Sequence, residues 1–211
     1  PLTQMPALVG SQGDVLQHLT PVEGKPLTFR LKDVTLPAFE GLTLQPFYQL
    51  YECRYQIYFP LYSQEEWNER QQQMAAAEQE RMALEKRTID KVYCGEQQSE
   101  SDHFFVAEGS WNGSDGGQHW RRARGSFSYQ VKAADAKSLR IKTFPGERQQ
   151  ERISINNQSF GTLQAQPSGL LELEWPKDLR TETATITIAA EQSRETPRII
   201  EVRICKEASE Q

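Results

Sequence analysis

The feature that most constrains this chain is a series of short strand patterns that fills its C-terminal half with no helical pattern between them. Apolar and polar side chains alternate there, and Gly, Pro and Asn pairs interrupt the alternation at intervals of about 10–15 residues. The predicted strands are Ser126–Ala133, Ser138–Thr143, Arg152–Ile155, Gly169–Glu174, Thr183–Ala189 and Arg198–Lys206. Such a series predicts an antiparallel β-sandwich or jelly roll.

The N-terminal part also has strand character. Pro26–Leu31 alternates in the manner of a half-buried strand, and Leu42–Gln45 is a second short candidate. Phe47–Phe59 is so rich in aromatic residues that it predicts a pair of strands, which Pro60 ends. We therefore expect residues 1–62 to form an N-terminal β region, the end of one β-sandwich.

One long helix separates these two regions. Ser63 followed by Glu66 has the spacing of a capping box, and no Gly or Pro occurs from Gln64 to about Arg87. The apolar stripe of this helix is thin, which is typical of a helix that lies on a surface. The predicted organisation is thus a mostly β chain with a connecting helix over residues 63–88 and a C-terminal β-sandwich over 89–211.

Charge, hydropathy and cysteine content exclude several classes of protein. The formal net charge of −5 argues against a nucleic-acid partner, and no apolar run reaches the length of about 18 residues that a membrane span needs. Cys53, Cys94 and Cys205 lack a C-x-x-C spacing and are too few for a disulfide framework, which favours free buried thiols over one bridge and one free thiol. The chain begins at Pro1 rather than Met, so we expect a processed protein or a piece of a longer one.

The segment Gly95–Val131 holds the densest group of chemically active side chains, with two of the three histidines and two of the four tryptophans. Its many Gly and Ser residues predict a non-helical loop that leads into the C-terminal sandwich. Loops of this kind often carry the function of β-rich proteins. Binding or catalysis is therefore expected here before anywhere else in the chain.

Enzyme and metal chemistries find weak support in this segment. Glu96, Glu100 and Asp102 could supply the carboxylate pair of a glycosidase, but acids this close together arise readily in an acidic protein. Asp102, His103 and His119 lack the diagnostic spacing of a zinc site. The loop at 112–117 offers oxygen ligands without the spacing of an EF-hand. We expect no catalytic residues, no metal and no cofactor in this chain.

Sugar binding fits the residue types better, because sugar sites combine an aromatic platform with carboxylates, amides and guanidinium groups. The hypothesis is that Trp111 or Trp120 stacks on a sugar ring while Asp102, His103 and Arg121 bond its hydroxyls. The structural alternative places Trp120 in the core and pairs Arg121 with Asp102. The full set of candidate binding residues is Glu96, Asp102, His103, Trp111, His119, Trp120 and Arg121.

Several spaced segments resemble a known family of proteins. They are Lys25–Arg30, Leu44–Tyr58, Arg87–Asp90, Gly95–His103 and His119–Arg121, which occur in that order and extend over nearly the whole chain. Together they resemble the C-terminal part of β-L-arabinofuranosidase-type glycoside hydrolases, families 127 and 146. Relatives tend to have an acid directly after the Trp-Arg pair, where this chain has Arg122.

The resemblance implies a role beside a catalytic domain. In that family an N-terminal (α/α)6 barrel carries a cysteine nucleophile in a zinc site, so Cys53, Cys94 and Cys205 do not inherit catalysis. The implied function is a non-catalytic accessory region that braces this barrel and binds arabinose-containing, plant-type polysaccharide. The alternative is a purely structural interdomain module without a ligand. The implied location is extracellular or periplasmic, in a bacterium.

Overall fold

A computed structural model of the chain describes residues 7–11, 16–33, 41–50, 60–179, 181–191 and 194–207. The chain divides into two compact units, residues 1–80 and 81–211. In the described part of the chain, no helix is both long enough and apolar enough to cross a membrane.

The first unit contains short strands. They are β1 (Leu8–Val9), β2 (Leu19–Pro21), β3 (Phe29–Leu31), β4 (Thr43–Leu44) and β5 (Leu61–Tyr62). Strands β2, β3 and β4 form an antiparallel sheet in that order, whereas β1 and β5 pair in parallel. The predicted strands at 26–31 and 42–45 are therefore present in shortened form.

The predicted strand pair at 47–59 is wrong at its start. Phe47–Gln49 forms a 3-10 turn, in which the N–H of Gln49 donates to the Pro46 carbonyl and that of Leu50 donates to the Phe47 carbonyl. Pro46 directly precedes this turn, and it has no N–H to donate to a neighbouring strand, so it does not favour a strand here. The rest of this prediction, residues 51–59 with Cys53, lies outside the described residues.

The long helix α1 (Gln64–Arg87) confirms the predicted helix and its cap. The N–H of Ser63 donates to the Glu66 carboxylate at 2.8 Å, and the N–H of Glu66 donates to the Ser63 hydroxyl at 3.2 Å. None of its 24 residues is buried, although Trp67 and Leu84 of the predicted stripe are half-buried. Local capping and helix propensity therefore carry much of its stability.

The second unit holds one antiparallel sheet that curls into a sandwich. Its elements are β6 (Thr88–Tyr93), α2 (Gln97–Asp102), β7 (Val106–Asp115), β8 (Gln118–Lys132), β9 (Ser138–Thr143), β10 (Gln150–Ile155), β11 (Gln158–Gln164), β12 (Leu170–Glu174), β13 (Thr183–Ala190) and β14 (Ile199–Cys205). The strand order is β11-β10-β13-β8-β14-β9-β12, with β6 on β14 and β7 on β8. The predicted class, a mostly β antiparallel sandwich with one long helix, is confirmed.

Strand β8 lies between β13 and β14 and so connects the two sides of this curled sheet. Its second half, Ser126–Lys132, pairs with β13, whereas Arg121 in its first half pairs with Ile199 of β14. Strand β7 pairs along β8, with an irregularity between Glu108 and Ser110. A bulge at this position lets a strand pair bend as it passes from one layer to the other.

The core lies between the layers and is built from alternating positions of the strands. On β8 these positions are Phe127, Tyr129 and Val131, and each is almost completely buried. The opposing strands add isoleucine, leucine and valine side chains, which are Leu139, Ile141, Ile153, Ile155, Ile186, Ile188, Val202 and Ile204. Cys94 and Cys205 are free thiols and are also buried.

The six strands predicted for the C-terminal half are all present. Their bounds agree to within two residues except for β8, which begins at Gln118 rather than near Ser126. The sequence patterns missed β6, β7 and β11. The predicted non-helical loop at 95–131 is wrong, because it contains α2, β7 and most of β8.

Glu151 is an unusual residue among the buried side chains, because it is acidic. Its side chain has no exposed surface, and neither carboxylate oxygen has a hydrogen-bond partner in the described structure. Burial, with a smaller contribution from the charge of Glu147, raises the pKa of Glu151 to about 8. The folded protein therefore holds this proton at pH values where an unfolded chain has released it.

We expect the free energy of unfolding to fall as the pH rises from the ordinary glutamate pKa of 4.5 toward 8, because in this window the native state binds one proton more than the unfolded state. Glu151→Gln should flatten this dependence. Urea denaturation at several pH values between about 5 and 9 measures the slope. Glu182→Gln, at an exposed position, is the matched control and should keep the wild-type slope. An equal slope in all three proteins would contradict the assignment to Glu151.

Candidate functional site

The candidate site lies where α2 meets the hairpin of β7 and β8. Gly116 and Gly117 connect these strands with φ values of 57° and 79°, which match a two-residue type I′ turn. This turn fixes the register so that Asn112 stands opposite Arg121. The 112–117 segment, considered above for calcium, is thus the tip of a hairpin.

The centre of the site is a buried ion pair between Arg121 of β8 and Glu100 of α2. The guanidinium Nε and Nη2 donate to the two carboxylate oxygens at 2.5 and 2.6 Å, and Nη1 donates to the Ser110 hydroxyl at 3.0 Å. Both side chains are less than one-tenth exposed. A bidentate pair of this kind is strong and directional.

Further groups complete the surroundings of the ion pair. The N–H of Gly95 and the hydroxyl of Tyr129 each donate to Glu100 Oε1 at 2.8 Å. The ring of Phe105 lies 4.1 Å from the Arg121 guanidinium carbon, at cation–π distance. The carboxylate is therefore held by four donors from three residues, of which Arg121 and Tyr129 both lie on β8.

These contacts fix the protonation states at the centre. Burial alone would raise the pKa of Glu100, but the hydrogen bonds from Arg121, Gly95 and Tyr129 outweigh it, and the pKa lies below its usual value. Burial also raises the pKa of the Cys94 thiol to about 12 and raises the pKa of Tyr129. At neutral pH the site contains an ionised carboxylate, a neutral phenol and an unreactive thiol.

An open cleft of about 500 Å³ lies over the ion pair. Its lining combines the ion pair with amides, a hydroxyl and aromatic rings, from Gln97, Glu100, Ser101, Phe104, Phe105, Asn112 and Arg121. Its size falls within the usual range of small-ligand sites. Asn112 is held in place because its side-chain amide donates to the Gly95 carbonyl at 3.3 Å.

Phe104 is the exposed aromatic residue of this cleft. It follows the last turn of α2, and its side chain is 71% exposed. Its φ of 51° places a bulky residue in the left-handed region, which such side chains rarely occupy. Backbone strain of this kind concentrates at functional sites.

The structure brings one predicted binding residue, Arg121, into the cleft. Its partner is Glu100 and not Asp102, so the expected Arg121–Asp102 pair is wrong. Asp102 instead accepts from the Gln98 amide at 2.8 Å on the exposed side of α2. The reason is helical spacing, since Glu100 and Asp102 lie on different faces of the helix.

His103 lies beside the cleft residues and contacts groups that hold α2 in place. Its Nδ1 lies 2.6 Å from the Ser99 carbonyl oxygen, and its Nε2 lies 3.1 Å from the Asp90 carboxylate. The same Asp90 accepts from the N–H of Lys132 at 2.7 Å. His103 thus links α2 to β6 and β8.

The two predicted tryptophans lie on the other face of the hairpin. Trp120 packs on Gly113, where an added Cβ would approach its ring to 2.4 Å, so only glycine fits there. The Trp120 indole N–H is buried and lacks a hydrogen-bond partner among the described residues. Trp111 is 37% exposed beneath the Arg124 guanidinium, whose carbon lies 5.7 Å from the ring.

The remaining predicted residues, Glu96 and His119, are exposed. Glu96 precedes α2 and His119 lies near the hairpin tip, and neither lines the cleft. Arg122 stands where the β-L-arabinofuranosidase-type hydrolases tend to have an acid. Its side chain points to the face opposite Arg121. There it contacts Glu147 at 3.4 Å and Glu195 at 3.2 Å.

The sequence reasoning missed Gln97, Ser101, Phe104, Phe105 and Asn112. One available signal was the Gly116-Gly117 pair, because two glycines between alternating segments indicate a tight hairpin. That register would have placed Asn112 beside Arg121. No local pattern indicated that Phe104 would adopt a left-handed conformation.

The groups of the cleft can donate and accept hydrogen bonds and can stack on an apolar face. Within the described ranges, no group of three or more His, Cys, Asp or Glu side chains is arranged to hold a metal ion. The cleft thus combines hydrogen-bonding groups with an aromatic ring, as small-ligand sites commonly do.

The chain belongs to a family of unknown function, DUF6805, whose model matches residues 83–205. A second model, a domain of unknown function called DUF4986, matches residues 1–61. No curated protein matches the sequence.

Solved structures resemble part of the chain. A family 35 carbohydrate-binding module from Clostridium thermocellum is 12% identical, covers 56% of this chain and 99% of its own, and has a TM-score of 0.41. The corresponding module of Cellvibrio japonicus Abf62 is 11% identical, with coverages of 57% and 100% and a TM-score of 0.40. An exo-β-1,3-galactanase from Phanerochaete chrysosporium is 13% identical, with coverages of 55% and 29% and a TM-score of 0.40. Similarity this distant carries no argument about ligand or activity.

We expect the Glu100–Arg121 pair to be strongly coupled. Arg121→Met should destabilise the fold by about 3–5 kcal/mol, because it leaves a buried carboxylate uncompensated. Adding Glu100→Gln, which keeps an acceptor for Gly95 and Tyr129, should recover more than about 1 kcal/mol of that loss. Urea denaturation of the two single variants and the double variant measures the coupling. Strictly additive losses would show that the two side chains do not stabilise each other.

Proposed function

We propose that this chain is a non-catalytic accessory region of a glycoside hydrolase and that its cleft binds carbohydrate. The observation that carries the proposal is the exposed Phe104 ring at a cleft lined by the amides of Gln97 and Asn112. A sugar presents one apolar face and a rim of hydroxyls. The cleft offers a counterpart to each, in an aromatic ring and in neutral groups that both donate and accept.

The chemistry of Glu100 supports binding over catalysis. A glycosidase acid must hold a proton near neutral pH, which requires a raised pKa. The pKa of Glu100 is lowered, and four donors already occupy its oxygens. This carboxylate therefore suits the role of a fixed structural anion. Activity on nitrophenyl glycosides that disappears in Glu100→Gln would favour an enzyme instead.

The wider context of the proposal comes from the resemblance to β-L-arabinofuranosidase-type hydrolases. On that basis we place the chain beside a catalytic (α/α)6 barrel of the same parent protein, outside the cell or in the periplasm of a bacterium. The same resemblance makes arabinose-containing oligosaccharides the first ligands to test.

Phe104→Gly is the sharpest test of the cleft, because it removes the ring and also relieves the left-handed strain. We expect sugar affinity to fall by about tenfold or more, as loss of a stacking partner implies, while stability stays equal or rises. Titration calorimetry with arabino-oligosaccharides and thermal denaturation measure the two effects.

Trp111→Ala is the matched control, since it removes an exposed aromatic ring from the hairpin face opposite the cleft. Its affinity should equal that of the wild type. If Trp111→Ala abolished binding and Phe104→Gly did not, the site would lie on the tryptophan face. No heat from any sugar at millimolar concentration, with a folded protein, would overturn the proposed function.

A structural role is the second candidate, and exposed apolar side chains in the first unit favour it. Leu16 and Leu27 are 77% and 68% exposed, and Tyr48 is also exposed. Large exposed apolar side chains often mark interfaces. In this interpretation the region braces the barrel and has no ligand.

This second candidate predicts that the isolated chain self-associates. The double variant Leu27→Ser with Tyr48→Ser should reduce the association constant, because it removes apolar area from the contact. Light scattering over a range of protein concentrations measures this self-association. Phe104→Ser, which removes an exposed apolar side chain outside the first unit, is the control and should leave the association constant unchanged. A strict monomer at every concentration would count against the structural role.

A further inference from the structure

The charge balance of the cleft points to a class of ligand. Arg121 is the one cation among its seven described lining residues. Both oxygens of Glu100 accept from this guanidinium, and a third donor is taken by Ser110. An ion pair with bidentate geometry has little net charge left to attract an anion.

Helix α2 beside the cleft adds negative charge nearby, although Glu96 and Asp102 do not line the cleft themselves. Helix α2 and the residue before it carry Glu96, Glu100 and Asp102, and no Lys or Arg lies among residues 96–102. Only Glu100 of these acids is neutralised by an arginine of the cleft. An anionic ligand would therefore approach two exposed carboxylates beside the cleft, and none of the described lining residues offers it a free cation.

The neighbouring arginines of β8 do not offset this charge. Arg122 and Arg124 project from the opposite face of the strand, where both contact the Glu195 carboxylate. Alternation along the strand keeps their side chains away from Asn112 and the cleft.

We propose that the cleft selects uncharged, hydroxyl-rich sugars and discriminates against sugars that carry a carboxylate. This inference rests on the proposed carbohydrate-binding function. Recognition comes from the Gln97 and Asn112 amides, the Ser101 hydroxyl, and those guanidinium N–H groups of Arg121 that the ion pair leaves available. All of these can pair with hydroxyls, and none supplies a free positive charge.

Matched sugar pairs test the inference. One pair is a methyl-esterified oligogalacturonide and its de-esterified form, and another is xylotriose with and without a glucuronic acid branch. Glycan arrays and then calorimetry measure binding of these pairs together with a panel of neutral arabino-oligosaccharides. Within each pair, the acidic sugar should bind about tenfold more weakly than the neutral one. The difference should shrink in concentrated salt, which screens the repulsion.

Two variants test the charge beside the cleft. Glu96→Gln with Asp102→Asn should narrow the gap between acidic and neutral sugars by about two- to fivefold, as the loss of two nearby charges implies. Glu174→Gln with Asp178→Asn changes the net charge equally but lies at the edge strand β12 and the turn after it, which β14 and β9 separate from β6 and α2, so it should leave the gap unchanged.

The outcomes separate this inference from the function on which it rests. Tighter binding of the acidic sugars, or an unchanged gap in the variant with Glu96→Gln and Asp102→Asn, overturns the selectivity and leaves carbohydrate binding intact. Binding of neutral sugars with the expected gap supports both. Failure of every sugar to bind a folded protein overturns the proposed function itself.

Discussion

The buried contact between the Glu100 carboxylate and the Arg121 guanidinium is the interaction on which the candidate site depends. Helix α2 contains no apolar side chain, so hydrophobic burial cannot hold it in place. Polar contacts do so instead, through Glu100, through Ser99 at the N–H of Tyr93, and through His103 at Asp90. Removing two charges from water costs several kcal/mol, which the bidentate geometry and the added donors offset. This contact places α2 beside the cleft, positions Phe104 at the end of α2, and leaves the Arg121 charge neutralised by Glu100.

The β7–β8 hairpin explains why residues of similar chemistry end up in different surroundings. Its two faces separate Arg121 and Asn112 from Trp111 and Arg122, although these residues are neighbours in sequence. One face adjoins α2 and carries the cleft, and the other carries charge pairs with Glu147 and Glu195. The β7–β8 hairpin therefore presents two different surfaces, and the pairing register of its strands decides on which surface each side chain lies.

The sequence patterns predicted the parts of the fold that depend on local periodicity. The capped helix and the strands with strict alternation, such as Ser138–Thr143, were found because their signals are contained within a few residues. Strand β7 was missed because its pattern VAEGSWNGSD is mostly exposed and rich in glycine and polar residues. The Glu100–Arg121 pair could not be predicted, because it joins residues 21 positions apart that only the tertiary fold brings together. For the same reason the sequence patterns indicated Arg121 only as a candidate site residue, and the structural alternative paired it with Asp102 instead of Glu100.

The 15-residue strand β8 has a mechanical consequence for the second unit. Because it pairs with β13 in one half and with β14 at Arg121 in the other, the backbone of this one strand joins the two sides of the sheet. A local opening that frees β8 would expose both layers and the wall of the cleft at once. We therefore expect the sandwich and its cleft to unfold together, so that a ligand bound at Arg121 would also stabilise strands far from its own contacts.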